Sequence, residues 1–523
     1  MNRLDKIVSY VSPKTGAKRM AARYKTEAAE RLLNSGYSHG GASRTKRSMQ
    51  GWDSKSASPQ DDIDVNLHLL RQRARDLAMN TPIGAAAISR NAINVVGSGL
   101  KLRCQIDHNA LGITEQQAIE WKNRTEQEFA LWAEQKNDHT GLNTFYDAQV
   151  IMMTGWLMNG DSLALAEYAE PEQNQPYQLR LHLIEADRLC TPGAYMGASQ
   201  IVELPDGGRI ANGIETDKAG RVVAYHIANR YLNTALSAKP LDWVRVEARN
   251  RANGLPNVIY VVKQDRAEQY RGVPLLAPVI EQIKQMSRYT EAEITAAIIN
   301  SFFTAFVESD APVNDFALGS PVAAQQQVDI EDEEMAYELG PGTINQLRPG
   351  EKISLADPKH PNSGFEAFST AMAKLIGAAI DVPYEVLLTS FNSSYSASRA
   401  ALLQAWQGFK NKREWFAADF CQPVYEMWLY EAVAAGRVKA PGFFDDPLKR
   451  KLWSGAAWIG PSAGQVDPVK EITAAQLRIE NGFSTGEREA YEINGSDFHK
   501  NIDALRREQA ELKEIFGDRG AEA

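Results

Sequence analysis

The feature that most constrains the fold of this 523-residue chain is a long helical pattern just past its midpoint. The stretch GVPLLAPVIEQIKQMSRYTEAEITAAIINSFFTAFV predicts a helix over about 274–305, because apolar residues recur at helical spacing throughout it. At 1.5 Å per residue this helix would be roughly 45 Å long, about three times the globular average. A second very long helix is predicted from near Ser396 to near Gly436. Pro423 should kink it, since proline cannot donate to the carbonyl four residues earlier.

A mixed segment and a polar loop lie between these two helices. Residues 306–360 contain the acidic run DIEDEEMAYE and several turns rich in glycine and proline. A helix is predicted at 364–380, and Pro383 ends it. The stretch TSFNSSYSAS follows at 389–398 with five serines in ten residues. Capping the second long helix needs only one serine, so the others require a further explanation.

The first half of the chain predicts an α+β domain whose helices precede its sheet. Thr81 and Pro82 are typical of a helix start, and Gly97 should help to end that helix. In the helix before it, apolar residues recur at helical spacing at Val65, Leu69, Leu70, Ala74 and Leu77. Residues 160–265 alternate apolar and polar side chains between turns, which predicts a strand-rich, antiparallel section.

The charge of the chain is uneven. The formal net charge is −9, but residues 1–50 alone carry +8. This basic arm on an acidic body indicates either an anionic partner for the arm or a solvated tail. Three cysteines without CxxC spacing argue against a disulfide framework and favour synthesis in a reducing compartment. We expect neither a signal peptide nor a transmembrane helix, because no apolar run is long enough.

Motifs of catalytic chemistry are scarce. The sequence lacks the phosphate-binding GxxxxGK[ST] loop, the GxGxxG fingerprint and the zinc-binding HExxH helix. Its eight histidines are scattered, so no local zinc site is predicted. Glu185 and Asp187 could pair as acid and base, but without a neighbouring histidine or Gly-rich loop a capping or bridging role at a sheet edge is favoured. The acidic run lacks the residue order of a calcium loop, which favours a surface for solvent or a basic partner.

Two segments leave a serine nucleophile open. Gly460, Ser462 and Gly464 form a GxSxG, which as a nucleophile elbow requires a strand before it and a helix after it. WSGAAW precedes the motif and is a poor strand, so a plain turn is favoured. The serines at 390–398 have no histidine, lysine or aspartate beside them, and helix capping is the simpler role.

The order of elements and several stretches resemble the lambda-like family of phage portal proteins. The most specific stretch is FEAFSTAMAKLIGAAIDVPYEVLLTSFNSSYSASRAALLQAW at 365–406. RQRARDLAMNTPIGAAAISRNAINVVGSGL at 71–100 resembles the opening helices of the family, and YRGVPLLAPVIEQIKQM at 270–286 resembles the start of its first stem helix. FCQPVYEMWLYEAV and WIGPSAGQVDPVKE add to the likeness, which covers roughly 62–485.

The resemblance implies a portal fold with an α/β wing, long stem helices, a small clip, a tunnel loop and a helical crown. The implied parts are a flexible basic arm at 1–61, the wing at 62–272, the first stem helix at 273–305, the clip at 306–362, the second stem helix at 363–382, the tunnel loop at 383–397, a long kinked helix at 398–436 and the crown at 437–523.

It also implies a function. A ring of about twelve identical subunits would occupy one capsid vertex of the virion, after assembly in the bacterial cytoplasm. A separate terminase would drive double-stranded DNA through the channel without sequence specificity, and the channel would later retain and release the genome. The other implied partners are the major capsid protein, scaffold and head-completion adaptors. Catalytic residues, cofactors, metals and membrane contacts are not implied.

The same resemblance assigns residues to these surfaces. The DNA-facing residues of the loop would be Ser390, Asn392, Ser393, Ser394 and Ser396, with Phe391 and Tyr395 as its anchors. The terminase-facing residues of the clip would be Asp329, Glu331, Asp332, Glu333 and Glu334. The stem would be punctuated by Gly272, Pro274 and Pro383. Neutral hydroxyls suit a bore in which DNA slides, because lysine and arginine contacts with phosphate raise affinity steeply.

Two other functions remain open from the sequence. One is a serine hydrolase or head-maturation protease that uses a serine in 390–398 or Ser462. The other is a monomeric head–tail connector without a bore. A serine-reactive probe tests the first alternative, and the mass of the particle in solution tests the second.

Overall fold

The computed structural model describes residues 10, 12–33, 47–49, 52, 56–170, 175–193, 201–232, 240–302, 306–309, 351–354, 364–390, 395–462, 468–496 and 498–516. The chain divides into two units, Met1–Ser58 and Pro59–Ala523. In the first unit, helix α1 spans Pro13–Leu33. All elements below belong to the second unit.

The second unit mixes helices and strands, as predicted. Its helices are α2 (Val65–Asn80), α3 (Pro82–Val95), α4 (His108–Leu111), α5 (Glu115–Ala133), α6 (Phe145–Asn159), α7 (Ile280–Phe302), α8 (Phe365–Ala379), α9 (Tyr384–Leu388), α10 (Tyr395–Phe416), α11 (Gln422–Ala434), α12 (Pro447–Trp453), α13 (Pro468–Glu480), α14 (Gly486–Asn494) and α15 (Phe498–Phe516). Its strands are β1 (Lys101–Cys104), β2 (Asp161–Tyr168), β3 (Leu179–Ile184), β4 (Ile201–Glu203), β5 (Arg209–Ala211), β6 (Ile214–Thr216), β7 (Val222–Ala228), β8 (Trp243–Glu247), β9 (Val258–Val262), β10 (Phe306–Ser309), β11 (Glu351–Ser354) and β12 (Ala456–Ile459).

The strand-rich section predicted at 160–265 is confirmed. It forms a three-stranded sheet in the order β3-β2-β9 and a five-stranded sheet in the order β4-β5-β6-β7-β8. Among the described residues, every pairing between named strands is antiparallel. A small apolar cluster that includes Leu163, Tyr225 and Val258 lies between the two sheets and joins them.

The larger core joins helices from opposite halves of the chain. Phe129 of α5 makes edge-on ring contacts at 5.6 Å with Phe145 of α6, and at 5.6 Å with Tyr425 and 5.1 Å with Trp428 of α11. All four rings are buried. Each such pair contributes about 0.5–1.5 kcal/mol beyond the area it buries. The sheet and its preceding helices therefore share one core with the end of the second long helix.

The structure corrects the core face predicted for α2. Leu67 and Arg71 are buried, whereas Val65 and Leu69 are exposed. The apolar pattern misplaced the buried face because Arg71, a charged residue, occupies one of its positions. The next helix agrees with the prediction, since Thr81 accepts a hydrogen bond from the backbone N–H of Gly84 at 3.2 Å.

The first long helix begins later than predicted. A 3-10 turn spans Ala277–Val279 with a proline in its first two positions, and α7 proper begins at Ile280. Prolines at 274 and 278 supply no N–H for the ladder of a longer helix. The described part of α7 has 23 residues and is roughly 35 Å long.

The second long helix bends at a π-helical turn. Residues Ala417–Cys421 form this turn between α10 and α11, and the backbone N–H of Gln422 reaches the carbonyl of Ala417. Pro423 lies directly after it, in the first turn of α11. The wider turn accommodates the missing proline N–H, so the expected irregularity lies just before the proline. The predicted end is confirmed, because Gly436 follows α11 with a φ of 72°.

Candidate functional site

A buried charge cluster holds the start of α7 against the sheet. The carboxylate of Asp161, the first residue of β2, accepts a hydrogen bond from Arg71 Nη2 at 2.7 Å. It also accepts bonds from Arg271 Nε at 2.8 Å and from the hydroxyl of Tyr260 at 2.9 Å. All four side chains are buried or nearly so. Asp161 thus connects α2, two strands and the segment that leads into α7.

The electrostatics of this cluster favour a permanently ionised carboxylate. Burial alone would raise the pKa of Asp161, but Arg271 and Arg71 together hold that pKa below its ordinary value of 3.8. Burial raises the pKa of Tyr260 well above 10, so its hydroxyl stays protonated and can donate. Burial also raises the pKa of Asp64, a second carboxyl that interacts with Arg271, to about 6.

Gly272 and Pro274 lie at this junction, a few residues before α7 begins. The backbone N–H of Gly272 donates to the Asp161 carboxylate at 3.1 Å. A Cβ at position 272 would lie 1.8 Å from the carbonyl oxygen of Gly160. Gly160 itself has a φ of +87°, and a Cβ there would lie 2.3 Å from the carbonyl carbon of Gly272. Both glycines are therefore required by a direct contact between two backbone segments. The carbonyl of Pro274 accepts from Ala277 at the turn that precedes α7.

The predicted bridging role of the two acidic residues in IEADR is confirmed. Arg75 of α2 forms ion pairs with Glu185 at 3.1 Å and with Asp187. Asp187 also lies 3.5 Å from Arg71. These carboxylates follow β3 directly and fasten α2 to the end of that strand, so they carry structural charge rather than acid–base chemistry.

Helices α7 and α8 pack against each other through aromatic side chains. The ring of Tyr289 on α7 lies 5.7 Å from Phe365 and 4.8 Å from Phe368 on α8. Large apolar side chains nevertheless remain exposed on this part of the subunit. Ile294 of α7 is 55% exposed, Leu375 of α8 is 64% exposed and Leu403 of α10 is 56% exposed.

The polar loop predicted at 383–397 is partly helical. Pro383 begins the short helix α9, and its carbonyl accepts from Val386 at 3.0 Å. Thr389 ends α9 with a φ of 53°, and the N–H of Ser390 donates to the carbonyl of Glu385 at 3.1 Å. The residues of the loop outside the described part of the chain are Phe391, Asn392, Ser393 and Ser394. Helix α10 already begins at Tyr395, so Tyr395 and Ser396 belong to its first turn.

The predicted clip is described only at its two ends. Strand β10 pairs antiparallel with β11, in the register Phe306↔Ser354 to Ser309↔Glu351. The ends of the excursion therefore lie side by side. The acidic candidates Asp329, Glu331, Asp332, Glu333 and Glu334 lie outside the described residues.

Ser462 lies beside a broad, charged groove. The segment before it is a strand, contrary to the prediction, because β12 pairs with β1 in the register Trp458↔Leu102. The groove is lined by charged side chains of α10, α13 and α14, including Arg413, Glu471 and Arg478, and among the described residues its lining contains no histidine. Arg413 donates from Nη2 to the carbonyl of Pro461 at 2.8 Å and thereby fixes the turn that precedes Ser462. A plain turn remains the interpretation that this geometry supports.

One cluster went unnoticed in the sequence. His139 and His182 stack with ring centroids 4.0 Å apart, and each bonds to a different oxygen of Glu167. The histidines are 43 positions apart, and only the pairing of the strands brings them together. In the described part of the chain, no helix combines the length and the hydropathy that a membrane crossing requires.

Comparison with known proteins identifies the family. Residues 45–413 match the family described as phage portal protein, lambda family. The chain is 25% identical over 481 residues to the portal protein of Escherichia phage N15, which covers 88% of each chain. It is 24% identical over 479 residues to portal protein B of Escherichia phage lambda, covering 88% of this chain and 87% of the relative. A solved structure titled "Neck of native GTA particle computed with C12 symmetry" aligns with a TM-score of 0.42 and 13% identity, over 80% of this chain and 92% of that chain. The chain belongs to the lambda family of phage portal proteins.

Proposed function

We propose that this portal protein assembles into a ring of about twelve copies at one vertex of a phage capsid. Double-stranded DNA passes through the central channel, driven in by a terminase and later released through the same channel. The observation that carries the proposal is the family match over 45–413, together with the exposed apolar side chains of α7, α8 and α10. Large contiguous apolar patches mark protein contacts, and we propose that these side chains contribute to such a contact between subunits.

The parts of the subunit divide this work. The sheets and their helices, 62–272, form the wing, and α7 and α8 form the stem. The segment 306–362 forms the clip that meets terminase and later the adaptor proteins, while the C-terminal helices form the crown. The serine-rich loop before α10 lines the channel. Hydroxyl and amide groups exchange hydrogen bonds with passing phosphates without the strong electrostatic attachment that lysine and arginine provide.

The mass of the purified protein tests the ring. A subunit of 57.9 kDa should give a particle of about twelve times that mass, and negative-stain images should show a central hole. Leu375→Glu places a charge on an exposed apolar position of α8 and should shift the particle toward monomer. Ala219→Glu, which adds the same charge in the exposed turn between β6 and β7, is the control and should leave the ring intact. A stable monomer at every concentration of the unmodified protein refutes the proposal.

Charge reversal of the clip tests the terminase surface. Substitution of Glu331, Asp332, Glu333 and Glu334 by lysine should prevent terminase from docking on the ring. DNA packaging should then fail, while rings still form. Normal packaging with this variant would show that terminase binds elsewhere. A serine-reactive probe addresses the hydrolase alternative, because labelling of Ser462 or of a serine in 390–398 would favour an enzyme.

A further inference from the structure

Three polar side chains from distant parts of the wing meet on one face of the three-stranded sheet. Glu167 lies on β2, and His182 lies on β3 at the diagonal position, since Glu167 pairs with Arg180 and Leu165 pairs with His182. His139 belongs to the loop between α5 and α6. Its backbone N–H donates to the carbonyl of Leu181 at 2.8 Å, which attaches the loop to the edge of β3.

The atoms of the cluster converge closely. His139 Nδ1 lies 2.7 Å from Glu167 Oε2, and His182 Nδ1 lies 2.8 Å from Glu167 Oε1. The two imidazole rings are stacked 4.0 Å apart with an interplanar angle of 10°. All three donor atoms lie within 4.8 Å of one another.

Neutral imidazole and ionised carboxylate are the forms that bind metal. The geometry supplies both kinds of group, because Glu167 presents one carboxylate oxygen to each imidazole ring. His139 is 53% exposed, so an ion and its water ligands can reach the cluster from solvent.

We propose that His139, Glu167 and His182 bind a divalent transition-metal ion, with Zn²⁺ as the best match. Two imidazole nitrogens and one carboxylate oxygen form a common zinc ligand set, and water completes the tetrahedron. With bonds of about 2.0–2.2 Å to the ion, neighbouring ligand atoms lie roughly 3.3–3.5 Å apart. Binding would displace the protons between the two Nδ1 atoms and Glu167, and these separations would widen from 2.7 and 2.8 Å toward the spacing around a bound ion. Ca²⁺ and Mg²⁺ fit poorly, because they prefer oxygen ligands.

The loop that carries His139 is already rigid. The carboxylate of its neighbour Asp138 accepts hydrogen bonds from the N–H groups of Leu142 and Asn143, both at 2.9 Å. Asp138 also accepts from the side chains of Thr140 and Asn143. These bonds use the acceptor capacity of Asp138 within its own loop, so Asp138 orients the ligand loop rather than supplying a fourth ligand. The ion would join this loop to β2 and β3 and would act structurally in the wing.

Metal titration of the full-length protein tests the proposal. After treatment with a chelator and dialysis, calorimetric titration with Zn²⁺ should show one site per chain. Co²⁺ in its place should give the visible absorption of a four-coordinate ion. Zn²⁺ should also raise the melting temperature, because an ion that binds only the folded state stabilises it by mass action.

Variants distinguish this site from the other histidines of the chain. His139→Ala and Glu167→Gln should each weaken Zn²⁺ binding by at least about tenfold and remove the rise in melting temperature. His108→Ala, on the short helix α4, is the control and should bind Zn²⁺ like the unmodified protein. His139 is half exposed and Gln preserves the shape of Glu167, so both variants should fold, as circular dichroism will verify. Equal Zn²⁺ affinity in all four proteins, or no binding in any, overturns the proposal and leaves a hydrogen-bonded triad without metal.

Discussion

Asp161→Asn is the substitution that most directly tests how the three-stranded sheet is joined to the segment that leads into α7. It preserves the size of the side chain but removes its charge. Asp161 is fully buried, and Arg71 and Arg271 beside it are only 4% and 1% exposed. The substitution therefore leaves two buried guanidinium groups without their common counter-ion, while the cavity stays filled.

The magnitude follows from what each arginine retains. Arg71 keeps the carbonyl of Asn159 at 2.8 Å and a longer ion pair with Asp187 at 3.5 Å. Arg271 keeps hydrogen bonds to the carbonyls of Leu189 and Ala186, and the Asp64 carboxyl remains as a weaker counter-charge. Removal of one partner from a buried pair costs about 3–5 kcal/mol. Because Arg71 retains a carboxylate, we expect about 3–4 kcal/mol for Asp161→Asn.

Urea denaturation followed by the fluorescence of the ten tryptophans measures this loss. Glu247→Gln is the matched control, since it removes the charge of an ion pair whose partner, Arg251, is 86% exposed. Surface pairs contribute about 0–1 kcal/mol, so the control should unfold close to the unmodified protein. A loss below about 1 kcal/mol for Asp161→Asn would refute the idea that this carboxylate neutralises both arginines.

The pH dependence provides a second test of the same carboxylate. The folded-state pKa of Asp161 lies below its ordinary value of 3.8, so its contribution is complete above that value. The contribution is lost as the pH falls through the lower, folded-state pKa. The difference in unfolding free energy between the unmodified protein and Asp161→Asn should therefore be constant near neutral pH and should shrink below pH 3.8. A difference that grows on acidification contradicts this assignment.

Three further substitutions test other parts of the subunit. Burial raises the pKa of Asp419 in the π-helical turn from 3.8 to about 6. Asp419→Asn should therefore stabilise the protein at pH 8 by about 1–2 kcal/mol, and a gain that persists below pH 3.8 in thermal melts would contradict this cause. Gly272→Ala meets the carbonyl of Gly160 and should cost about 3 kcal/mol in urea denaturation, whereas Gly408→Ala has room within α10 and should be neutral or stabilising. Ser393→Lys should slow DNA packaging without changing ring mass, whereas Ser393→Thr should not, and a normal rate with lysine would exclude this serine from the bore.

Local signals in the sequence were sufficient for most helices and for the position of the sheet. Helix ends depend on local residues: Thr81 and Pro82 begin α3, and Gly436 follows the end of α11. The structure agrees with the prediction for both helices. Alternation over 160–265 identified the antiparallel section for the same reason, since each strand shows its own pattern. The resemblance to the lambda-like portal family, spread over many positions, is confirmed by the family match.

Signals that depend on a distant partner were missed. Strand β12, AAWI, has few β-branched residues and forms because it pairs with β1 from the other end of the chain. The predicted core face of α2 was wrong because Arg71 is buried. Its counter-ion, Asp161, lies 90 positions away, and no residue near Arg71 in the sequence indicates this pairing. Within the implied crown, α14 and α15 are separate helices that part near Gly495, whose φ is 72°.

The residues assigned from the sequence and the clusters found in the structure lie in different parts of the subunit. The serine loop and the acidic clip were assigned through resemblance, and most of their residues lie outside the described part of the chain. The Asp161 cluster and the His139–Glu167–His182 cluster each unite three or more separated segments through geometry that neither periodicity nor a motif can register. The two clusters lie at opposite ends of the same strand, β2: one includes its first residue and the other a residue near its last. If the two clusters do not affect each other through the strand, the losses in unfolding free energy from Asp161→Asn and Glu167→Gln should add. The double variant Asp161→Asn/Glu167→Gln, measured without metal, gives the coupling between the two ends directly.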